Sequence, residues 1–285
     1  MDALDRLIAL ALEEDLGAAG DVTTSALVPD DARGRAELVV KEDLVLSGLD
    51  AFARVFHHVD PDVAVRPLAR DGEEIRAPKV IAELRGRLGS LLVAERTALN
   101  LIQRASGIAT LARKAAEAVK GTRIKVLDTR KTPPGMRALA KKAVRDGGAH
   151  NHRFGLFDGV LIKDNHIAAL GGSVREALRR AKERAPRLVK IEIEVTSLEQ
   201  LDEVLAEGAD VVMLDNFSDD RIREAVRRAA GRVAIEISGG VTLERLPRLA
   251  SLGADFVSLG ALTHAARAMD LSLEIETATG GDSIA

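Results

Sequence analysis

From Gly121 onward the chain repeats a short apolar run followed by a helical stretch, and this alternation constrains its fold more than any other feature. β-Branched runs at Ile124–Leu127, Gly159–Lys163, Val189–Val195, Asp210–Leu214, Val233–Ile237 and Asp255–Leu259 alternate with helical periodicity at Met136–Asp146, Val174–Ala185, Leu198–Glu207, Asp219–Ala230 and Leu243–Ser251. Strands joined through helices run parallel. Such a sheet either closes as a barrel or stays open and doubly wound. An open sheet collects its functional groups at one switch point, whereas a barrel draws on nearly every strand end. Here the runs end in Asp128-Thr129-Arg130-Lys131, Asp164-Asn165-His166, Glu194, Asp215-Asn216, Ser238-Gly239-Gly240 and Gly260. The pattern predicts a parallel α/β barrel, incomplete because only six units are visible.

Residues 1–107 follow a different rhythm. Ala3–Leu16 has apolar residues at helical spacing and stops at Gly17, Arg35–Leu46 and Lys79–Arg85 read as strands around a helix at Asp50–His58, and Leu91–Val119 is a long helix expected to be broken or kinked near Ser106-Gly107. That mixture suggests an N-terminal α+β domain, with the barrel over 108–267. The tail 268–285 contains the alternating segment Leu271–Thr277, expected to return to the first domain as a strand, and Thr279–Ala285 are expected to fray.

Composition narrows the function classes. A net charge of −3 provides no positive field for sequence-independent nucleic-acid binding, and the absence of Tyr and Trp removes stacking on those rings. With no Cys there are no disulfides, thiolate metal sites, iron–sulfur clusters or Cys nucleophile. The N-terminus lacks a basic leader, and no apolar run approaches the roughly 18 residues needed to span a bilayer. The expectation is a cytoplasmic protein without a nucleic-acid or membrane partner.

Three groups could carry chemistry. In Lys190-Ile191-Glu192-Ile193-Glu194-Val195 the aliphatic residues share one face and the charged residues the other, so Glu192 and Glu194 point into a barrel if the aliphatic face meets helices. Buried carboxylates need a cation, hydroxyl or metal beside them; the competing reading is an exposed edge strand, which Glu236 between Ile235 and Ile237 argues against by repeating the pattern. Ser238-Gly239-Gly240 and Ser258-Leu259-Gly260-Ala261, with His264 nearby, suit the phosphate site formed by the last two barrel loops, although glycines in tight turns need no ligand. Arg130, Lys131, Arg153 and Lys163 cluster at the first two strand ends, and Arg96 lies in the preceding helix; cations gathered at one mouth imply a polyanionic small substrate. His150-Asn151-His152 lacks a clearly placed third metal ligand, and no nucleophile motif is present.

Taken together, Glu95–Asn100, Asp128-Thr129-Arg130-Lys131-Thr132-Pro133-Pro134-Gly135, Asn151–Leu156, Ile162-Lys163-Asp164-Asn165-His166, Ile191–Val195, Leu214-Asp215-Asn216 and Ile237–Val241 resemble the quinolinate phosphoribosyltransferases from about Glu14 to Leu273. The resemblance implies an N-terminal α/β domain, an incomplete barrel and a dimer. It also implies Mg²⁺-dependent transfer of phosphoribosyl from phosphoribosyl pyrophosphate to quinolinate with release of CO₂, for NAD synthesis. Carried over, it places Arg96, Thr129, Arg130, His152, Arg153 and Lys163 around quinolinate, with Arg96 donated across the dimer interface. Lys131 would sit between quinolinate and pyrophosphate, Glu192 and Asp215 would face the ribose and its metal, and Ser238, Gly239, Gly240, Leu259, Gly260, Ala261 and His264 would hold the phosphate. Lys131, Glu192 and Asp215 are the catalytic candidates. Pro133 stands where relatives often carry Thr or Leu, which stiffens the loop without removing a ligand. A relative acting on another pyridine or pyrimidine acid, and a phosphometabolite-binding protein without turnover, are the alternatives.

Overall fold

The computed structural model describes residues 2–277. The tail expected to fray, Thr279–Ala285, lies outside them. Contacts divide the chain into two compact units: one takes residues up to Arg113, Thr132–Gly148 and those from Ala265 on, the other Lys114–Lys131 and Ala149–His264.

The first unit opens with α1 (Ala3–Leu16), whose N-cap Asp2 accepts the Leu4 and Asp5 amides at 2.8 and 2.9 Å. These bonds satisfy amides that a helix leaves unpaired. After α2 (Val22–Leu27) come β1 (Arg33–Val40), β2 (Leu44–Val45), α3 (Leu49–Val59), β3 (Ala64–Pro67), β4 (Glu74–Ile75) and β5 (Lys79–Arg87). The single strand expected over Arg35–Leu46 is therefore two, and α2, β3 and β4 are too short to show a periodicity. Phe52, Val55 and Phe56 of α3 are fully buried.

α4 (Leu88–Ala118) runs for 31 residues and is not broken at Ser106-Gly107. Both residues serve packing instead. Ser106 Oγ donates to the Ser47 carbonyl and accepts its amide, each at 3.2 Å, and a Cβ on Gly107 would lie 1.8 Å from the Arg267 carbonyl oxygen. Only glycine allows that approach, at about 1 kcal/mol of helix propensity.

Met136–Asp146, read as the first barrel helix, forms α5 (Arg137–Asp146) but belongs to the first unit. Lys142 Nζ donates to Asp71 and Asp146 at 2.6 Å each, and Asp146 accepts Ser47 Oγ at 2.6 Å. Behind it Arg113 Nε donates to the Gly147 carbonyl at 2.9 Å, where a Cβ would lie 2.4 Å from Ala109 O. Periodicity reports that a helix has a buried face, not which element covers it.

The second unit contains β6 (Lys125–Leu127), β7 (Val160–Ile162), β8 (Ile191–Val195), β9 (Val211–Asp215), β10 (Ala234–Ser238) and β11 (Phe256–Ser258). All neighbours are parallel, in the order β6-β11-β10-β9-β8-β7. β6 and β7, consecutive in the chain, stand at opposite edges, so the barrel is incomplete. Helices α6 (Asp164–Ala168), α7 (Val174–Arg184), α8 (Leu198–Glu207), α9 (Asp219–Ala229), α10 (Leu246–Ala250) and α11 (Ala261–His264) follow successive strands. Ser173, Ser197 and Ser218 each begin one of the three longer helices by accepting its third amide, at 3.1 to 3.4 Å.

The chain returns to the first unit as β12 (Leu271–Thr277), which pairs with β1 from Val40↔Leu271 to Gly34↔Thr277. The resulting antiparallel sheet has the order β12-β1-β5-β3. β1 alternates from Arg33 to Leu38, with Arg33, Arg35 and Glu37 exposed and Gly34, Ala36 and Leu38 buried, as expected when one face is solvated.

Candidate active site

Parallel β-strands deliver their following loops to one end of the sheet. There a cavity of about 570 Å³ is lined by Thr129, Arg130 and Lys131 after β6, His152 and Arg153 before β7, and Lys163 after it. Glu194, Asp215, Asn216, Ser238, Gly239, Gly240 and Ser258 complete the wall from β8 to β11. A larger hollow of about 870 Å³, lined by Lys182, Leu188 and Asp210 among others, lies where β8 and β9 begin. It gathers no comparable set of convergent groups, so the smaller cavity is the candidate site.

Asp128, wholly buried at the end of β6, shapes the cationic wall. Its carboxylate accepts the His152 amide at 2.8 Å and Asn151 Nδ2 at 2.7 Å. The sequence showed Asp128 only as part of a motif, without a role; a charged residue closing an apolar run was the available signal. Arg153 is steadied by its donation to the Gly159 carbonyl at 2.9 Å. The Nε atoms of Arg130 and Arg153 are nevertheless buried without a hydrogen-bond partner. Burial, then the neighbouring Arg130, press the Arg153 pKa down, while Glu192 and Asp158 oppose them. Two guanidinium groups at one cavity wall fit an anion bearing more than one acceptor.

β8 sorts its two glutamates by depth. Glu194 lines the cavity, 3.6 Å from Lys163 Nζ; burial raises its pKa, Lys163 opposes this, and the charges of Asp215 and Asp164 add to the rise. Glu192 is only 7% exposed and lies beneath the mouth, with Oε2 2.9 Å from His152 Nε2. Glu192, expected to face the ribose and its metal, is thus under the floor, and Glu194, two residues nearer the C-terminal end, lines the cavity, because side chains on the same face of a strand occupy different depths of a barrel. Alternation named both residues but could not rank them.

The other expected residues distribute as follows. Gly239 (φ +84°) is required by a close approach, since a Cβ would lie 2.3 Å from Asn216 Oδ1. Leu259 does not offer an amide to phosphate: it is 1% exposed and its N–H donates to the Leu127 carbonyl at 2.9 Å. Gly260 gives passage to Lys131 and His264, whose Cδ and Cε1 would be 3.1 and 3.3 Å from an added Cβ. Thr263 Oγ1 donates to the Lys131 carbonyl at 2.8 Å, fixing that loop, and Ala261 opens α11. Arg96 lies on α4 in the first unit, largely exposed, beside a hollow with Asp15, Asp21 and Leu92.

Two carboxylate sets could meet a metal. His152, Glu192 and Glu236 place one ligand atom each within 4.8 Å of one another, but the two glutamates are buried and the set contains imidazole. Mg²⁺ prefers oxygen ligands, keeps several waters and is often shared with substrate phosphates. The half-buried Glu194 and Asp215 at the cavity wall fit it better.

An incomplete α/β barrel whose cationic mouth faces two half-buried carboxylates defines a class of enzyme acting on small polyanions. Family models sharpen this: the quinolinate phosphoribosyl transferase N-terminal domain matches residues 21–106 and its C-terminal domain residues 108–274. The chain is 44% identical over 262 residues to a probable nicotinate-nucleotide pyrophosphorylase [carboxylating] of Bacillus subtilis, covering 92% of this chain and 90% of the relative. It is 44% identical over 279 residues to the nicotinate-nucleotide pyrophosphorylase [carboxylating] of Mycobacterium leprae, covering 96% and 98%. Among solved structures, the nicotinate-nucleotide pyrophosphorylase from Francisella tularensis superimposes with a TM-score of 0.91 at 41% identity, covering 96% of each chain. The chain belongs to the quinolinate phosphoribosyltransferase family. No helix among the described residues is long and apolar enough to cross a membrane.

Proposed function

We infer that this chain joins quinolinate to phosphoribosyl pyrophosphate and releases pyrophosphate and CO₂ to form nicotinate mononucleotide, a step of NAD biosynthesis. The observation that carries this reading is the cationic wall of the cavity, where Arg130 and Arg153 stand with Lys163. Quinolinate brings two adjacent carboxylates, which match these cations. Thr129 and His152 complete that end of the cavity. Lys131, beside Gly260 and His264, faces the side toward which pyrophosphate leaves, and Ser238, Gly239, Gly240 and Ala261 border the phosphate end.

The chemistry assigns work to each wall. The pyridine nitrogen attacks the anomeric carbon as its bond to pyrophosphate breaks, and positive charge grows on the ribose. Glu194 and Asp215 stabilise that charge because they are already fixed at the wall. The same carboxylates would hold Mg²⁺ together with substrate phosphates, where the ion would supply positive charge to offset that of the leaving pyrophosphate. Loss of CO₂ from ring carbon 2 leaves an electron pair that the adjacent ring nitrogen cation stabilises, and one proton then adds to that carbon. Holding the ring still between Arg130, Arg153 and Lys163 is the protein's contribution to that step.

We further propose a cytoplasmic homodimer in which Arg96 serves the partner's cavity. Quinolinate labelled in its 2-carboxylate tests the reaction: labelled CO₂ is expected only when phosphoribosyl pyrophosphate and Mg²⁺ are both present, and release without phosphoribosyl pyrophosphate would refute it. Refolding Arg96→Ala with Lys163→Ala tests the dimer. Transfer in trans restores one intact site per heterodimer, whereas an inactive heterodimer would exclude a shared site.

A further inference from the structure

Beneath the cavity floor lie two buried acids, Glu192 and Glu236, that the reaction above leaves without work. His152 lines the cavity, yet both of its ring nitrogens are engaged: Nδ1 accepts the Arg153 amide at 2.7 Å, and Nε2 faces Glu192 Oε2 at 2.9 Å. A ring nitrogen that accepts an amide carries no proton, so the proton is on Nε2 and is donated to Glu192. Glu236 Oε2 lies 3.7 Å from the same Nε2, and the ligand atoms of His152, Glu192 and Glu236 all lie within 4.8 Å of one another. Glu236 is 1% exposed, and burial followed by the charge of Glu192 pushes its pKa well above the ordinary carboxyl range. Protonated, it can donate to Glu192 without repelling it. One carboxyl oxygen each of Glu192 and Glu236 remains buried and without a partner. Apolar residues would fill this space at less desolvation cost. The retained acids therefore call for a role in fixing geometry.

We propose that Glu236 is a positioning residue which, through Glu192, fixes the His152 ring and with it the Arg153 backbone, setting the quinolinate end of the cavity. Glu236 itself touches no substrate. A floor residue held at one nitrogen by backbone and at the other by a buried carboxylate cannot rotate, and Arg153 follows it by one peptide bond. Release of the lower anchor frees the ring to turn, which blurs the guanidinium position that reads a carboxylate. The effect belongs to quinolinate and not to phosphoribosyl pyrophosphate, whose proposed contacts are Lys131, Glu194, Asp215 and the loops after β10 and β11, none of them His152 or Arg153.

The inference rests on the placement of quinolinate beside Arg130 and Arg153, so its test separates the two. Glu236→Gln keeps an N–H donor at the right reach, Glu236→Met removes it at similar length, and Glu236→Asp withdraws it by one methylene, which guards against a Met variant that does not fold. Glu236→Gln is expected to behave as wild type. In Glu236→Met or Glu236→Asp the KM for quinolinate should rise about tenfold or more, with the KM for phosphoribosyl pyrophosphate nearly unchanged. Because both changes act through one ring, Glu236→Met combined with His152→Ala should be no worse than His152→Ala alone. Nitrogen chemical shifts of His152 give a readout that needs no turnover: an Nε2-protonated ring in wild type and Glu236→Gln, and a mixture of tautomers in Glu236→Met or Glu236→Asp. Equal changes in both KM values, additive losses in the double variant, or an unchanged His152 tautomer would overturn the role of Glu236. A wild type that binds no quinolinate would overturn the substrate placement instead, while the His152 spectra would still report on the coupling.

Discussion

Asp60 in the first unit and Glu236 in the second are almost equally hidden, at 2% and 1% exposure, yet their acidities move in opposite directions. Asp60 accepts Arg87 Nε at 2.9 Å and Ser90 Oγ at 2.8 Å, and its pKa falls to about 2, with the Arg87 bond the largest cause. Glu236 meets another carboxylate, and its pKa rises. Burial alone therefore decides little; the partner decides whether a buried acid is a strut or part of a site. The first unit completes its charged contacts within itself at Asp60. The second unit leaves acids together under its floor and guanidinium donors unmet at its wall.

If this contrast holds, substitutions in the second unit should weaken ligand binding, and those in the first should change stability. Arg153→Ala and Lys163→Ala have the largest expected effect, each removing a charge-assisted contact of about 1.5 to 3 kcal/mol, or roughly 10- to 150-fold in quinolinate affinity by calorimetry. An intact melting transition should accompany the loss. Affinity equal to wild type in either variant would break the comparison on the barrel side.

Asp60→Asn sharpens the other side. Asp60 ionises near 3.8 when unfolded and near 2 when folded, so folding favours its charged form. Its stabilisation is complete above about pH 4, fades between about pH 4 and 2, and is absent below that. Because Arg87 is partly exposed, the loss at neutral pH should be about 1 to 2 kcal/mol, read by denaturant unfolding, with unchanged turnover. Glu236 has the reverse sign: folding favours its protonated form, so its contribution is full at acid pH and is lost as pH rises through its folded pKa. The smallest effect is expected at Glu37, exposed on β1 opposite Glu83 and Glu274. Glu37→Gln should change stability by less than about 0.5 kcal/mol, toward stabilisation if at all, since it removes a like charge.

Alternation was legible in the sequence, but its meaning differed between the sheets. On β1 the charged residues face water, whereas on β8 and β10 the same period turns Glu192 and Glu236 inward. What separates them is parallel connection through helices, which covers both faces of the sheet. The strand-end motifs likewise revealed Arg130, Lys163 and Asp215, because loops after parallel strands share one end. Depth along a strand, the use of the Leu259 amide by Leu127 and the capture of α5 by Asp71 and Asp146 depend on three-dimensional neighbours. No local pattern records them.

The two glutamates of β8 test the account most directly, because they share a strand and a face and differ in depth. Turnover and quinolinate binding should be measured side by side for Glu194→Gln and Glu192→Gln. The account predicts that Glu194→Gln lowers kcat by about a hundredfold with little change in quinolinate affinity, as expected for an interaction made mainly in the transition state. Glu192→Gln should retain kcat within a few-fold and alter quinolinate KM instead. A hundredfold loss of kcat confined to Glu192→Gln, with Glu194→Gln fully active, would contradict the assignment of the wall to Glu194 and the floor to Glu192.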